Sequence, residues 1–520
     1  MQPIVSTAEA VVQSPWPAPE IPDEDFARHV LRHAERWARH TALVDASDGR
    51  TLTYGELAAA ARRTAAGLAE RGLGRGDVVA VYSPNQPEFA ITVLGAAMAG
   101  VTTTTANPLY TADELGYQLR DSGARLVVTT APFMDRAREA ATEAGFDAVL
   151  GHDEIGSDGE PPTVAIAPDD VVLLPYSSGT TGLPKGVELT HRAVVANLAQ
   201  AEAVLTLGPQ DTVLGVAPMY HCMGLITVAA HALCQGATLV TMARFELEAF
   251  LRAIEDHRVT ASIVAPPVAL ALARHPMVDS FDLSSLRWLG CGAAPLDPAT
   301  ERACAERLGC VFGQGYGMSE ATSAIAVLNP EEPEAIEPGT VGPLLPGVEA
   351  RVLDPETGSD VGADGEGELL VRGPQLMRGY HGRPDATAAT IDDDGWLHTG
   401  DLATISADGV LRITDRLKEL IKVKGFQVAP AELEGLLCTH PAIADAAVVG
   451  VPDEAAGEAP KAFVVACDEV AADDLMAWVA QRVAPHKRIR AVEFVDRIPK
   501  LPSGKILRRL LRDGAGAQGT

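Results

Sequence analysis

Basic residues, cysteine pairs and long apolar runs are all scarce in this 520-residue chain, and each shortage excludes something. Forty-two lysines and arginines face seventy aspartates and glutamates, a formal charge of −28. That balance argues against nucleic acid and against anionic membrane surfaces as partners, since both require basic patches. It leaves a site for a small anion open, because local lysines and arginines can still focus one. The seven cysteines (222, 234, 291, 304, 310, 438 and 467) are scattered, odd in number and without a Cys-x-x-Cys pair. Neither a disulfide framework nor a zinc cage follows, and a reducing cytoplasm is the expected setting. The most apolar window, 89–105, is rich in Ala, Gly and Thr. It reads as a buried helix running into a strand, not as a membrane span. No basic-then-apolar leader is read at the N-terminus and no Ser-Lys-Leu address at the C-terminus.

The length calls for two or three domains. Residues 1 to about 25 are Pro-rich and read as a loosely held arm. Thr53-Tyr54-Gly55-Glu56-Leu57 opens an Ala-rich helix. Strand-like runs at 78–82, 126–130, 213–217, 238–242 and 262–265 alternate with helical segments. That alternation predicts an α/β fold of layered, largely parallel sheets. After Pro343 the texture changes, and short runs at 347–353, 367–372 and 409–414 predict a smaller β-rich subdomain. Asp415-Arg416-Leu417-Lys418-Glu419 reads by composition as a solvated turn, as does Asp392-Asp393-Asp394. The last hundred residues read as α+β, with a helix from Pro430 and strands at 446–449 and 462–466.

Ser177-Ser178-Gly179-Thr180-Thr181-Gly182-Leu183-Pro184-Lys185-Gly186-Val187 follows the strand-like run 171–174. Glycines let backbone amides approach an anion, hydroxyls add donors, and Lys185 adds charge. A P-loop needs Ser or Thr directly after the lysine. Here Gly186 stands there and the glycine spacing differs. A flexible Ser/Thr/Gly linker leaves Pro184-Lys185-Gly186 unexplained, so a triphosphate loop is the better reading. This loop resembles the signature of the adenylate-forming superfamily: acyl- and aryl-CoA ligases, luciferases and adenylation domains.

The resemblance extends from about Thr53 to Arg509 and implies a large N-terminal domain (1–415, β-rich at about 340–415). A small mobile α+β domain (416–520), hinged near Lys418, would follow. It implies ATP, coenzyme A and Mg2+ as cofactors and a small-molecule carboxylic acid as substrate. By position, Ser177, Ser178, Gly179, Thr180, Thr181, Gly182 and Lys185 hold phosphates. In Gly313-Gln314-Gly315-Tyr316-Gly317-Met318-Ser319-Glu320, the residues Gln314, Gly315 and Tyr316 line the adenylate, and Ser319 contacts phosphate. Glu320 ligates the metal together with Thr181, which suits a hard cation on phosphate oxygens. Ala293 in Gly292-Ala293-Ala294-Pro295 belongs to the adjoining wall. In Gly395-Trp396-Leu397-His398-Thr399-Gly400-Asp401, Asp401 accepts the ribose hydroxyls, and Arg416 and Lys418 add contacts from the hinge side. Tyr220, Met223, Ala294, Gly317 and Met318 are the implied acid-pocket residues.

For catalysis the resemblance implies that Lys505, in Pro499-Lys500-Leu501-Pro502-Ser503-Gly504-Lys505, bridges carboxylate and α-phosphate. After rotation about Lys418, Lys422, Lys424, Gly425 and Gln427 close over the adenylate for thioester formation, an arrangement that separates two unlike steps. Lys424, Gly425 and Arg244 are the implied coenzyme A contacts, and His221 in Pro218-Met219-Tyr220-His221 the implied gate. Within the superfamily the chain looks most like 4-coumarate–CoA ligases, through 107–115, 314–320 and 415–434. Met223 stands where plant enzymes carry a tyrosine beside the phenolic ring, so the reading of a para-hydroxyl is open. Cinnamate-type aryl acids are expected first and fatty acids second, with carrier-protein loading, luciferase activity and a dead homologue as further alternatives.

Overall fold

The computed structural model describes residues 11–177, 183–417, 419–423, 426–453, 456–500 and 506–512. Two parallel-centred sheets carry the larger part. Val78–Tyr82 lies in the middle of an eight-stranded sheet, paired in parallel with Thr102–Ala106 and Ala124–Thr129. A seven-stranded sheet sets Val311–Gln314, Trp288–Cys291, Ala261–Val264, Thr212–Gly215, Thr238–Thr241 and Thr41–Asp45 side by side and parallel, with Thr51–Thr53 as an antiparallel edge. The α/β expectation holds.

Local sequence explains the element starts. Thr53 accepts the Glu56 amide while the Glu56 carboxylate accepts the Thr53 amide, a capping box that opens Tyr54–Glu70. Thr111 and Glu114 do the same for Ala112–Ser122. The window 89–105 divides as expected into the buried helix Pro87–Met98 and the buried strand Thr102–Ala106. Three of the four threonines fit inside a core there because their hydroxyls find acceptors, whereas Thr103 Oγ1 has none among the described residues. Thr102 donates to the Val171 carbonyl, Thr104 to Leu174 and Thr105 to Tyr220, at 2.7–2.8 Å.

The N-terminal arm departs from expectation. Val12–Gln13 pairs with Ala350 and Glu349 as the edge of a five-stranded antiparallel sheet completed by Gly367–Arg372, Leu397–Ile405 and Leu411–Arg416. Ser14 adds bonds from its hydroxyl to the Leu344 carbonyl and from its amide to Val348. Proline richness concealed this strand, since edge strands tolerate nearby prolines.

Residues 421–511 build cores of their own, the larger around Ile421, Val428, Leu433, Val448, Val464 and Leu475. The helix Pro430–Cys438 starts at the expected residue. Asp415 is not part of a solvated turn: it is 4% exposed and accepts the Arg416 and Ala431 amides. Burial outweighs those bonds and pushes its carboxyl up to about 7. All seven cysteines are free. His29, Glu202 and Cys234 bring ligand atoms together, but Arg32 bonds both His29 Nε2 and Glu202 Oε2, which makes a buried ion-pair network of the group. No helix among the described residues is long and apolar enough to cross a membrane.

Candidate active site

Four neighbouring parallel strands, Thr212–Gly215, Ala261–Val264, Trp288–Cys291 and Val311–Gln314, end at the same edge of the seven-stranded sheet. The loops that leave them therefore converge, as ligand-binding loops of open α/β sheets do. They surround a cavity of about 200 Å³ whose wall includes His221, Met223, Ile263, Trp288, Gly292 and Gly315. The loop 215–221 is held from the other sheet: Asn85 donates to the Gly215 and Ala217 carbonyls and accepts the Met219 amide. Gly317 has no room for a side chain, since a Cβ would stand 1.7 Å from the Ser323 carbonyl oxygen. Ala293 and Thr322, on two of these loops, have φ of 74° and 65°. Non-glycine residues reach that region at a cost, and Thr322 is tied there by its hydroxyl on the Gln375 carbonyl.

Two polar groups border the cavity. In the first, the Tyr316 hydroxyl donates to Asp401 Oδ2 at 2.5 Å, and Arg416 Nε approaches Asp401 Oδ1 at 3.3 Å. Asp401 and Arg416 are partners in adjacent strands, so backbone register sets this contact. Burial, then the Asp401 charge, keeps the Tyr316 phenol neutral and donating. In the second, Ser177 and Tyr380 both donate to Glu320 Oε1, at 2.9 and 2.8 Å. Lys185 Nζ lies 4.6 Å from the centre of the Tyr380 ring, a cation–π contact. Among the described residues Glu320 Oε2 makes no hydrogen bond, and the two donors on Oε1 are neutral. A carboxylate held that way has lone pairs of its second oxygen to offer a hard cation, so the residues fit Mg2+.

His221, Met223, Ala293, Gly315, Tyr316, Gly317, Met318 and Ser319 all line the cavity. Several other implied residues do not. Tyr220 is core: its ring packs 4.2 Å from His221, and its hydroxyl is buried without a partner among the described residues. It does not line the cavity. Ala294 lies beside Ala293 without lining the cavity. Gln314 turns inward, donating to the Leu296 carbonyl and Glu301 and accepting the Leu296 amide, so its side chain is spent. Arg244 is exposed and paired with Glu246. Lys422 is exposed on Ile421–Val423, opposite Gln427 in register, and does not line the cavity. Ser178, Gly179, Thr180, Thr181, Gly182, Lys418, Lys424, Gly425 and Lys505 lie outside the described residues, and Gln427 enters through its backbone alone. Burial pushes the Cys222 thiol up to about 12, which leaves it inert beside Ser319.

Tyr380, Trp288, Ile263, Thr227 and Ser323 were not anticipated. Tyr380 reaches Glu320 because Gly379–Tyr380 pairs with Val187 and Glu188 of the lysine-bearing strand, a long-range pairing without a local signal.

The AMP-binding enzyme family matches residues 30–381, and the C-terminal domain of AMP-binding enzymes matches 432–505. The chain is 43% identical over 505 residues to 4-coumarate–CoA ligase 3 of Oryza sativa subsp. japonica, covering 92% of this chain and 90% of that protein. It is 41% identical to the 4-coumarate–CoA ligase of Pinus taeda, covering 96% and 97%. Among solved structures, ATP-bound MatB from Rhodopseudomonas palustris superposes with a TM-score of 0.86 at 29% identity, covering 95% and 99%. o-Succinylbenzoate CoA synthetase from Bacillus subtilis, in complex with its acyl-adenylate, gives 0.83 at 29%, covering 93% and 98%. The chain belongs to the AMP-binding, adenylate-forming enzymes and is an AMP-forming acid–thiol ligase.

Proposed function

We infer that the acid is an aryl-propenoic acid of the cinnamate and 4-coumarate type, activated with ATP and passed to coenzyme A. The observation that carries this is the cavity: mostly apolar walls, about 200 Å³, next to the Glu320 and Asp401 groups. An apolar cavity of about 150 Å³ holds one benzene ring, so this one has room for a ring and a short chain. The curated 4-coumarate–CoA ligases that the chain resembles support the same acid.

A carboxylate is a poor acyl donor because its leaving group is oxide. Adenylation turns it into a mixed anhydride, and the protein's part is positioning and charge stabilisation. Asp401, fixed by Tyr316 and Arg416, accepts the ribose hydroxyls. Lys185 and the loop 177–182 hold phosphates, with Ser319 on the α-phosphate side. Glu320 and Thr181 hold Mg2+, which neutralises phosphate charge when bound. Lys505 bridges carboxylate and α-phosphate; His221 and Met223 shape the carboxylate end. A C-terminal domain from 416 then turns near Lys418 and presents Lys422, Lys424 and Gln427 for thioester formation, with Lys424, Gly425 and Arg244 on coenzyme A. The working compartment is the cytoplasm.

The test is ATP- and coenzyme A-dependent thioester formation across cinnamic, coumaric, caffeic, benzoic and medium-chain fatty acids. Highest kcat/KM on cinnamates is expected; highest kcat/KM on the aliphatic acids overturns the aryl reading. Tyr316→Phe is expected to raise KM for ATP about tenfold with little change in KM for the acid, because one charge-assisted bond to Asp401 is lost. Equal shifts in both KM values would count against the ribose assignment.

A further inference from the structure

The strand that carries Lys185 and the turn that carries Glu320 are joined by one short segment, 377–381. The Met377 amide donates to the Glu320 carbonyl, and the Arg378 and His381 amides donate to the Glu188 and Gly186 carbonyls, at 2.8–2.9 Å. Tyr380 stands opposite Val187 in that pairing, and its own amide donates to Thr387 Oγ1 at 2.9 Å. Backbone bonds on both sides therefore fix where its side chain starts.

From there the side chain reaches two charged groups. Its hydroxyl donates to Glu320 Oε1 at 2.8 Å, and Lys185 Nζ lies 4.6 Å from the centre of its ring. Among the described residues neither Lys185 nor Glu320 takes part in an ion pair. Opposite charges one tyrosine side chain apart ordinarily close on each other, since the lysine stem is flexible and its ammonium turns freely. Glu320 is 7% exposed, so salt would screen such a pair only weakly. The pair would occupy the ammonium that phosphates need. The one carboxylate on the lysine's own strand, Glu188, is already taken by Arg378 and His381 of the same segment, each at 2.7 Å. Burial, then the Glu320 charge, raises the Tyr380 phenol above its ordinary value, so it stays a neutral donor at neutral pH.

We propose that Tyr380 is a positioning residue that keeps Lys185 and Glu320 apart, its hydroxyl on the carboxylate and its ring face against the ammonium. This rests on the phosphate role of Lys185. A cation–π contact is weaker than a charge-assisted bond to phosphate, so the lysine leaves the ring when a triphosphate arrives. From a pair with Glu320 it would have to be withdrawn at a cost. Tyr380→Phe keeps the separating ring, whereas an aliphatic replacement keeps neither ring nor hydroxyl.

The experiment measures the Kd of metal-free ATP, with EDTA present, by equilibrium dialysis on the full-length protein. The parent, Tyr380→Phe, Tyr380→Leu and Tyr380→Met are each compared with and without Glu320→Gln, and Lys185→Met is measured beside them. Tyr380→Leu and Tyr380→Met are expected to raise Kd about tenfold, the worth of one charge-assisted contact, and Tyr380→Phe less than about threefold. Adding Glu320→Gln is expected to recover about tenfold in the two aliphatic backgrounds and only about twofold in the parent and in Tyr380→Phe, because the two sites couple only where the lysine has been captured. A tyrosine with a merely structural role gives the same Glu320→Gln gain in every background. That equality, an unchanged Kd in both aliphatic variants, or a loss in Tyr380→Phe as large as theirs overturns the proposal. An unchanged Kd in Lys185→Met would instead remove the phosphate role beneath it.

Discussion

Lys505→Ala is expected to lower acid-dependent ATP–pyrophosphate exchange by about 10³-fold, the upper end of what one preorganised donor contributes. Thioester formation from preformed acyl-adenylate is expected to fall less than tenfold. The asymmetry follows from the chemistry. Joining a carboxylate to a triphosphate brings two anions together, and a lysine between them is worth most while both still carry charge. Once the mixed anhydride exists and pyrophosphate has left, the carboxylate charge is gone and only the single charge of the adenylate phosphate remains, so that cation no longer holds two anions together. The described residues on either side of 501–505 are tied to each other. Lys500 and Ile506 form a β-bridge, and the Leu507 amide bonds the Pro499 carbonyl at 2.8 Å. Lys500 is itself anchored by Asp445 through both carboxylate oxygens. Lys424→Ala and Gln427→Ala are expected to show the reverse pattern, sparing exchange and lowering thioester formation. Equal loss of both half-reactions in Lys505→Ala would refute a role confined to the first.

What could be read from sequence was local. Val78–Tyr82, Gly367–Arg372 and the start of Pro430–Cys438 were placed to the residue, because alternation, glycine punctuation and a proline at the helix start are signals within a few residues. Motif residues that line the cavity were legible for the same reason, since Gly315 to Ser319 and His221 sit in short, recognisable segments. Contacts made by topology were not. The bond from Tyr380 to Glu320 spans sixty residues and that from Ser323 to Thr227 spans ninety-six, and both depend on which strands and turns adjoin. Side-chain direction was the other hidden variable. Gln314 and Tyr220 stand beside cavity residues in the chain, yet both turn into the core, where burial of amide or ring decides their orientation. Composition misled at Asp415, whose charged neighbours signal solvent although a backbone turn encloses the carboxyl.

Arg508→Met is expected to destabilise the C-terminal unit by about 3 to 5 kcal/mol, the usual result of removing one partner from a buried ion group. Arg508 bonds both oxygens of Glu434 at 2.8 Å, the Val448 carbonyl at 3.3 Å, and Glu419. All three side chains are at most 14% exposed. Burial pushes the Glu434 carboxyl up from its usual range while Arg508 draws it down, and Arg508 also lowers the neighbouring Asp415. One guanidinium therefore supports three carboxyls, and without it each must ionise in the interior unaided or stay protonated. A carboxyl whose folded pKa is raised binds more protons folded than unfolded, so stability falls as pH rises through that interval. For Asp415 the interval already runs from the ordinary carboxylate range to about 7, and Arg508→Met extends it upward. The loss should accordingly be larger at pH 8 than at pH 5.5, when unfolding of the C-terminal unit in urea is followed at both. Arg508→Met combined with Glu434→Met should recover part of it, since apolar replacement of both partners strands no charge. A pH-independent loss, or one below 1 kcal/mol, would mean that Arg508 is solvated in solution and that Glu419 and Glu434 do not rely on it.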